Sequence, residues 1–114
     1  MPKCVFCEIA GGRIPSRRAY EDEDFFAFHD INPQAPTHVL LVPRRHVESL
    51  ADLTADDAPM LGRLAILATT LARELGLEAA GYRLVVNCGE GAGQTVPHLH
   101  LHLLGGRALR WPPG

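Results

Sequence analysis

One stretch restricts this chain more than any other: His98-Leu99-His100-Leu101-His102-Leu103, where imidazole and isobutyl side chains alternate without a break. Strict alternation is the pattern of a β-strand with one polar and one buried face, because successive side chains leave a strand on opposite sides. Residues two apart then share a face, roughly 6.6 Å apart along the chain. All three imidazoles are expected on one side, with Leu99, Leu101 and Leu103 on the other, in a core. Such a strand needs paired neighbours and a covering layer, which the rest of the chain must supply.

The neighbours can be read from the same periodicities. Thr37 to Pro43 is β-branched and apolar at consecutive positions, as in a central strand buried on both faces, and Pro33, Pro36 and Pro43 mark its limits. Arg18 to Phe28 reads as two short strands around a turn over Glu21-Asp22-Glu23-Asp24. Tyr82 to Asn87 is a further strand, and His98 to Leu104 the last. Between about Thr54 and Leu75 the period changes: Leu61, Leu64, Ala65, Ala68, Leu71, Ala72 and Leu75 follow helical spacing. Thr54 with Asp57 resembles a capping box, Pro59 moves the expected start to near Asp56 or Asp57, and Gly76 suits the terminating C′ position. Met60, Ile66 and Leu67 widen the apolar surface of this helix, so either it is deeply buried or its second face meets another subunit, and in so small a domain the second is expected. Residues 4–10 have room only for a short helix or turn, and the tail from Arg107 to Gly114 should be extended. The expected architecture is α+β: a single domain over 1–114, an antiparallel sheet of about five strands with one long helix packed on it.

Composition narrows the partners. A formal net charge of −2, with 21% charged residues and scattered arginines, gives no surplus for a polyanion, so neither nucleic acid nor a membrane surface is an expected partner. No secretory leader is visible, and no apolar run approaches the ~18 residues that a membrane span requires. The cysteines Cys4, Cys7 and Cys88 are odd in number, which argues against a disulfide framework. The expected compartment is the cytoplasm. Cys88 reads as a small buried filler.

Three of the six histidines sit on one strand face, too many for a surface accident. A His-x-His pair on a strand can ligate zinc, with His29, His38 or His46 to complete the set, and the residues alone leave that reading open. The glycine-rich run Gly89-Glu90-Gly91-Ala92-Gly93-Gln94-Thr95, directly before the histidine strand, favours a phosphate instead. Backbone N–H groups at such glycines can approach an anion closely. Cys4-Val5-Phe6-Cys7 has the spacing of half a zinc site, and by itself is equally a pair of free thiols.

The segment His98 to Leu104 resembles the His-φ-His-φ-His-φ-φ signature of the histidine-triad superfamily, φ being apolar. Phe28-His29-Asp30-Ile31, Pro36-Thr37-His38, Pro43-Arg44-Arg45-His46, Asn87, Gly93-Gln94-Thr95 and the terminal Trp111-Pro112-Pro113-Gly114 resemble its Hint branch, across nearly the whole chain. The resemblance implies a homodimer that binds purine nucleoside monophosphates (AMP or GMP) and hydrolyses adenosine 5′-phosphoramidates without a catalytic cofactor. A dinucleoside polyphosphate hydrolase and a nucleotide-binding regulatory module with little turnover are the alternatives. His100 matches the nucleophile, and His102 the residue that contacts phosphate and helps protonate the leaving group, for which the Thr95 hydroxyl is a second conduit. His98 and His38 match the supporting histidines. Asp30 matches the ribose-binding carboxylate; Ile14, Phe28, His29 and Ile31 match the base pocket; Asn87, Gly93, Gln94 and Thr95 match the phosphate loop. Two positions depart from the common pattern: Thr95 stands where many relatives carry Ser, and Pro97 where an aromatic is common, which bears on the leaving-group side. The resemblance extends to bacterial members with a structural zinc, and would make Cys4, Cys7, His46 and His98 its ligands.

Overall fold

The computed structural model describes residues 4–114. In chain order the elements are α1 (Val5–Ala10), β1 (Arg18–Glu21), β2 (Phe25–His29), β3 (Thr37–Pro43), α2 (Ala58–Glu74), β4 (Tyr82–Val85) and β5 (Leu101–Gly105). The strands form one antiparallel sheet in the order β1-β2-β3-β5-β4. The long helix is inserted between β3 and β4, as the change of period indicates.

β3 is the central strand, and its unbroken apolar run has a packing reason. Val39 and Leu41 point to the α2 side, where they meet Leu64, Ala68, Leu71, Ala72, Leu101 and Leu103. Leu40 and Val42 point the other way, into a second cluster with Phe6, Ile9, Phe26 and Phe28. The sheet therefore lies between α2 and the short α1, and a strand buried on both faces cannot afford the polar alternation of a half-exposed one.

Both ends of α2 follow from local chemistry. The Thr54–Asp57 capping box is present in full, and it caps a 3-10 turn over Ala55–Asp57 that leads into α2. Pro59 then falls in the first turn of α2, where no intrahelical N–H is lost. At the other end, the Gly76 N–H donates to Arg73 O at 3.1 Å and the Leu77 N–H to Ala72 O at 2.8 Å, with Gly76 at φ 76°. This is a Schellman closure, which requires the left-handed conformation that glycine adopts without strain. Of the residues that widen the helix's apolar surface, Met60 and Leu67 pack on the core, while Ile66 is exposed.

Three local expectations are corrected. The last strand begins at Leu101 rather than His98, because its partner β3 ends at Pro43, which has no N–H to extend the ladder. The Leu99 N–H bonds Val47 O at 2.6 Å instead, and the alternation survives outside the strand, with Leu99, Leu101 and Leu103 all buried. β4 stops at Val85, opposite His102, instead of reaching Asn87. Cys88 is exposed rather than buried, since the chain has already left the sheet when it reaches that residue. The β1–β2 turn, which lacks glycine, is closed by Asp22: its Oδ1 accepts the N–H groups of Asp24 and Phe25, each at 2.8 Å. The tail forms neither helix nor strand, and Arg83 holds it by donating to the carbonyls of Leu109 and Arg110. Among the described residues no helix is long and apolar enough to cross a membrane.

Leu64 is fully buried between α2 and the sheet. Leu64→Ala should cost about 2–5 kcal/mol in urea denaturation followed by circular dichroism. A loss under about 1 kcal/mol would contradict its place at the centre of that layer.

Candidate active site and metal cluster

On the α1 side of the sheet, the end of β2, the start of β5, α1 and the glycine-rich loop enclose a cavity of about 420 Å³. Its lining includes Ile14, Phe28, His29, Asp30, Ile31, Thr95, His100 and His102, which brings together eight of the residues singled out from the sequence. Val5, Phe6, Ile9, Leu40 and Val96 complete its apolar wall. Sequence reading did not assign these. The apolar i, i+1, i+4 spacing of Val5, Phe6 and Ile9 on so short a helix was the available sign of one buried face.

The hydrogen bonds fix the protonation pattern of the three rings around this cavity. His100 Nδ1 lies 2.7 Å from His98 O, and a carbonyl can only accept, so Nδ1 carries the proton. The neutral ring then has its lone pair at Nε2. Burial lowers the pKa of His100, against opposing effects of the His98 carbonyl and Asp30, which keeps the ring neutral near pH 7.

His38 and His102 are linked in series. The Gln34 backbone N–H donates to His38 Nδ1 at 3.0 Å, so the proton of a neutral His38 resides on Nε2. That Nε2 lies 2.9 Å from His102 Nδ1 and donates to it, which leaves the His102 proton on Nε2. Among the described residues His102 Nε2 is the only buried side-chain polar atom without a hydrogen-bond partner. An N–H so placed costs free energy until an acceptor arrives. His102 is also pushed down to about 4, first by burial, then by the neighbouring His100 and His38 rings, with Asp30 opposing. Burial lowers His38 in the same sense. Asp30 Oδ2 is 3.5 Å from His38 Nε2, and its Oδ1 accepts the Asn32 N–H at 2.9 Å, which orients the carboxylate. Asp30, His38 and His102 lie close enough together for a metal site. The His38 nitrogen facing His102 is protonated, however, and has no lone pair to offer a cation.

Asn87, Gly93 and Gln94 do not line this cavity. Gln94 braces the loop instead: its Oε1 accepts the Gly89 N–H at 2.9 Å, and its Nε2 donates to Glu48 O at 2.7 Å and Val96 O at 3.1 Å. Gly93 closes a 3-10 turn at φ 90°, a conformation that favours glycine. Thr95 borders both the main cavity and a second cleft of about 350 Å³ that includes Gln94 and Pro97.

The fourth predicted histidine, His98, points away from the cavity. Its Nε2–H donates to Pro43 O at 2.8 Å, so the lone pair is at Nδ1. That nitrogen is 3.2 Å from Cys4 Sγ and 3.7 Å from Cys7 Sγ, while Cys7 Sγ is 3.5 Å from His46 Nδ1. The potential ligand atoms of Cys4, Cys7, His46 and His98 all lie within 4.8 Å of one another. Tetrahedral zinc with ordinary bond lengths spaces sulfur and nitrogen ligands about 3.6 Å apart. The observed separations bracket that value, and the carbonyl on His98 Nε2 is the usual outer partner of a ligating imidazole. These four residues could hold a metal, and the sequence stands them 94 positions apart.

Comparison with known proteins identifies the family. The HIT domain family model matches residues 11–109. An uncharacterised HIT-like protein of Synechococcus elongatus is 46% identical over 110 residues, 96% of each chain. The crystal structure of a HIT family hydrolase from Legionella pneumophila superposes with a TM-score of 0.97 at 50% identity, covering 98% of this chain and 100% of that one. A histidine triad nucleotide-binding protein from Candida albicans superposes with a TM-score of 0.82 at 32% identity, covering 96% and 83%. The chain belongs to the HIT family.

The depressed pKa of His102 has a consequence for stability. In the unfolded chain histidine titrates near 6.5, whereas the folded His102 does not take up a proton until about pH 4. Over that interval the unfolded state binds more protons, so stability falls as the pH drops below about 6.5. Urea denaturation between pH 7 and pH 5 should show this loss, and His102→Gln should reduce its slope. An unchanged slope in the variant would contradict a neutral, buried His102.

Proposed function

We propose that this chain is a hydrolase of purine nucleoside 5′-phosphoramidates, with adenosine 5′-phosphoramidate as the model substrate, acting through a nucleotidyl-histidine intermediate at His100. One observation carries the reading. The His100 proton is committed to the His98 carbonyl, so an unprotonated Nε2 belongs to a ring that lines the cavity. Neutral imidazole is a good nucleophile toward phosphorus and also leaves again readily.

In the first half-reaction His100 Nε2 bonds the α-phosphorus and the P–N bond to the amine breaks. The amine departs with a proton. In the second, water attacks phosphorus and gives up a proton to solvent, which balances the one the amine took; the P–N bond to His100 breaks, the nucleoside monophosphate is released and neutral His100 is regenerated. The unpartnered His102 Nε2–H is suited to a non-bridging phosphate oxygen, where it stabilises developing charge. The ring series cannot itself supply a net proton, because it ends on the Gln34 amide N–H. The exposed Thr95 hydroxyl, at the border of the two clefts, suits the path by which the leaving amine is protonated.

The remaining residues fit the substrate. Ile14, Phe28, His29 and Ile31 offer the apolar and flat surfaces that a purine such as that of AMP or GMP stacks on, and Asp30 offers acceptors for ribose hydroxyls. Gly93 and Gln94 shape the phosphate loop from outside the cavity, and Asn87 stands just before that loop. Cys4, Cys7, His46 and His98 fit a zinc ion, for which two thiolates and two imidazoles complete a closed tetrahedron, a structural rather than catalytic arrangement. Thiols kept reduced for such a site suit the cytoplasm. We further propose a homodimer through the edge strand β4, whose far side pairs with no strand among the described residues and which carries the exposed Leu84, followed by the exposed Val86.

His100→Ala should lower turnover of adenosine 5′-phosphoramidate by roughly 10³-fold or more, while AMP still binds. A variant that keeps a tenth of the activity contradicts the assignment, and a strong preference of the wild type for diadenosine polyphosphates replaces the substrate. Asp30→Ala should weaken AMP by about tenfold and leave 2′,3′-dideoxy-AMP nearly unaffected, an effect of lost charged hydrogen bonds. Equal losses for the two ligands remove Asp30 from the ribose role.

A further inference from the structure

The potential metal ligands and the cavity share more than proximity. Helix α1 has six residues, too few to persist in water by helical propensity alone. Its first turn is tied down by Cys4, whose Sγ accepts the Cys7 N–H at 3.5 Å, and by Cys7 itself. Between these two cysteines stands Phe6, which is 4% exposed. Its ring meets His100 edge-on, with centroids 4.9 Å apart and planes at 86°, and it also contacts His98 and Phe28. Val5, Phe6 and Ile9 together form the α1 wall of the cavity.

A second connection runs through His98. Its Nδ1 faces the two thiols, while its backbone carbonyl accepts the His100 Nδ1–H. The same residue thus belongs to the cysteine cluster and sets the tautomer of His100. Whatever fixes Cys4, Cys7 and His98 in place fixes one wall of the cavity and the orientation of the ring within it.

We propose that metal binding at Cys4, Cys7, His46 and His98 and nucleotide binding in the His100 cavity are thermodynamically linked, with Phe6 as the positioning residue that transmits the linkage. Metal at the cluster holds α1 against the sheet, Phe6 closes on His100, and the nucleotide enters a finished pocket instead of ordering it. Because linkage is reciprocal, bound nucleotide must tighten metal binding by the same factor. The proposal rests on the nucleotide and zinc readings above, but goes beyond them, since a pocket and a metal cluster can coexist without influencing each other.

The test uses the full chain with its thiols reduced, prepared zinc-loaded and, by dialysis against a chelator, metal-free. AMP affinity is measured by calorimetry on both forms, and Zn²⁺ affinity by competition with a chromophoric chelator, with and without AMP. The expected result is a shift in both affinities by a common factor on the order of tenfold. Phe6→Ala retains all four ligands. It should take up one zinc per chain, as the wild type does, yet bind AMP more weakly and show a lower kcat at saturating phosphoramidate. A loss of pocket affinity alone would leave that kcat unchanged. Should the metal-free chain unfold, the comparison of zinc-loaded wild type with zinc-loaded Phe6→Ala decides the matter. Equal AMP affinity with and without zinc, or a zinc-loaded Phe6→Ala with wild-type affinity and kcat, overturns the linkage and leaves the nucleotide reading standing. A zinc-loaded wild type that binds no AMP overturns both, and a chain that takes up no zinc overturns the linkage and the zinc reading together.

Discussion

The 2.7 Å hydrogen bond from His100 Nδ1 to the carbonyl of His98 is the contact on which the rest of this structure depends. It is made within three residues of one chain segment, where the backbone has not yet joined its ladder with β3. Because it consumes the only proton of a neutral ring, it decides which nitrogen carries the lone pair. The ring's burial works in the same direction by disfavouring the charged imidazolium. The surroundings are arranged around that outcome: Phe6 covers the ring edge-on, and Leu101 and Leu103 anchor the following strand in the α2-side core.

The neighbouring rings obey the same logic with a different result. Three proton positions are dictated directly by a group that cannot switch, a backbone N–H in the case of His38 and a backbone carbonyl in the cases of His98 and His100, and that of His102 follows from His38. The four histidines consequently differ in what they present. His100 presents a lone pair and His102 an N–H on the cavity side, His98 presents a lone pair to the cysteines, and His38 spends both nitrogens on its neighbours. Side chains of one chemical type are thus divided between a reactive site and a ligand cluster by backbone contacts, passed on to His102 through the His38 ring.

Much of this was legible in the sequence, for reasons that can be stated. The His/Leu alternation survives in the structure because the leucines must be buried, whether or not the segment is paired as a strand. The limits of α2 were legible because Thr54, Asp57 and Gly76 act locally, within one turn of the helix. The starting point of β5 was not, since it is set by Pro43, more than fifty residues earlier. The α1 wall was legible only as one buried face: nothing near Phe6 in the sequence announces that His100 will lie beneath it. Gln94 is an intermediate case. Its loop was recognisable from its glycines, whereas the commitment of its amide to Gly89, Glu48 and Val96 follows only from the folded loop. The gathering of Cys4, Cys7, His46 and His98 came from the resemblance to the family, as did the role given to each histidine.

The most direct measurement is to mix the protein with adenosine 5′-phosphoramidate, quench within the first turnovers, digest, and map any adduct by mass spectrometry under conditions that preserve phosphohistidine. A nucleotidyl group on the peptide that contains His100, attached to Nε2, and its absence from the His100→Ala protein, is the predicted result. Turnover with no adduct on any histidine, or an adduct on Nδ1 or on a different ring, would contradict the account.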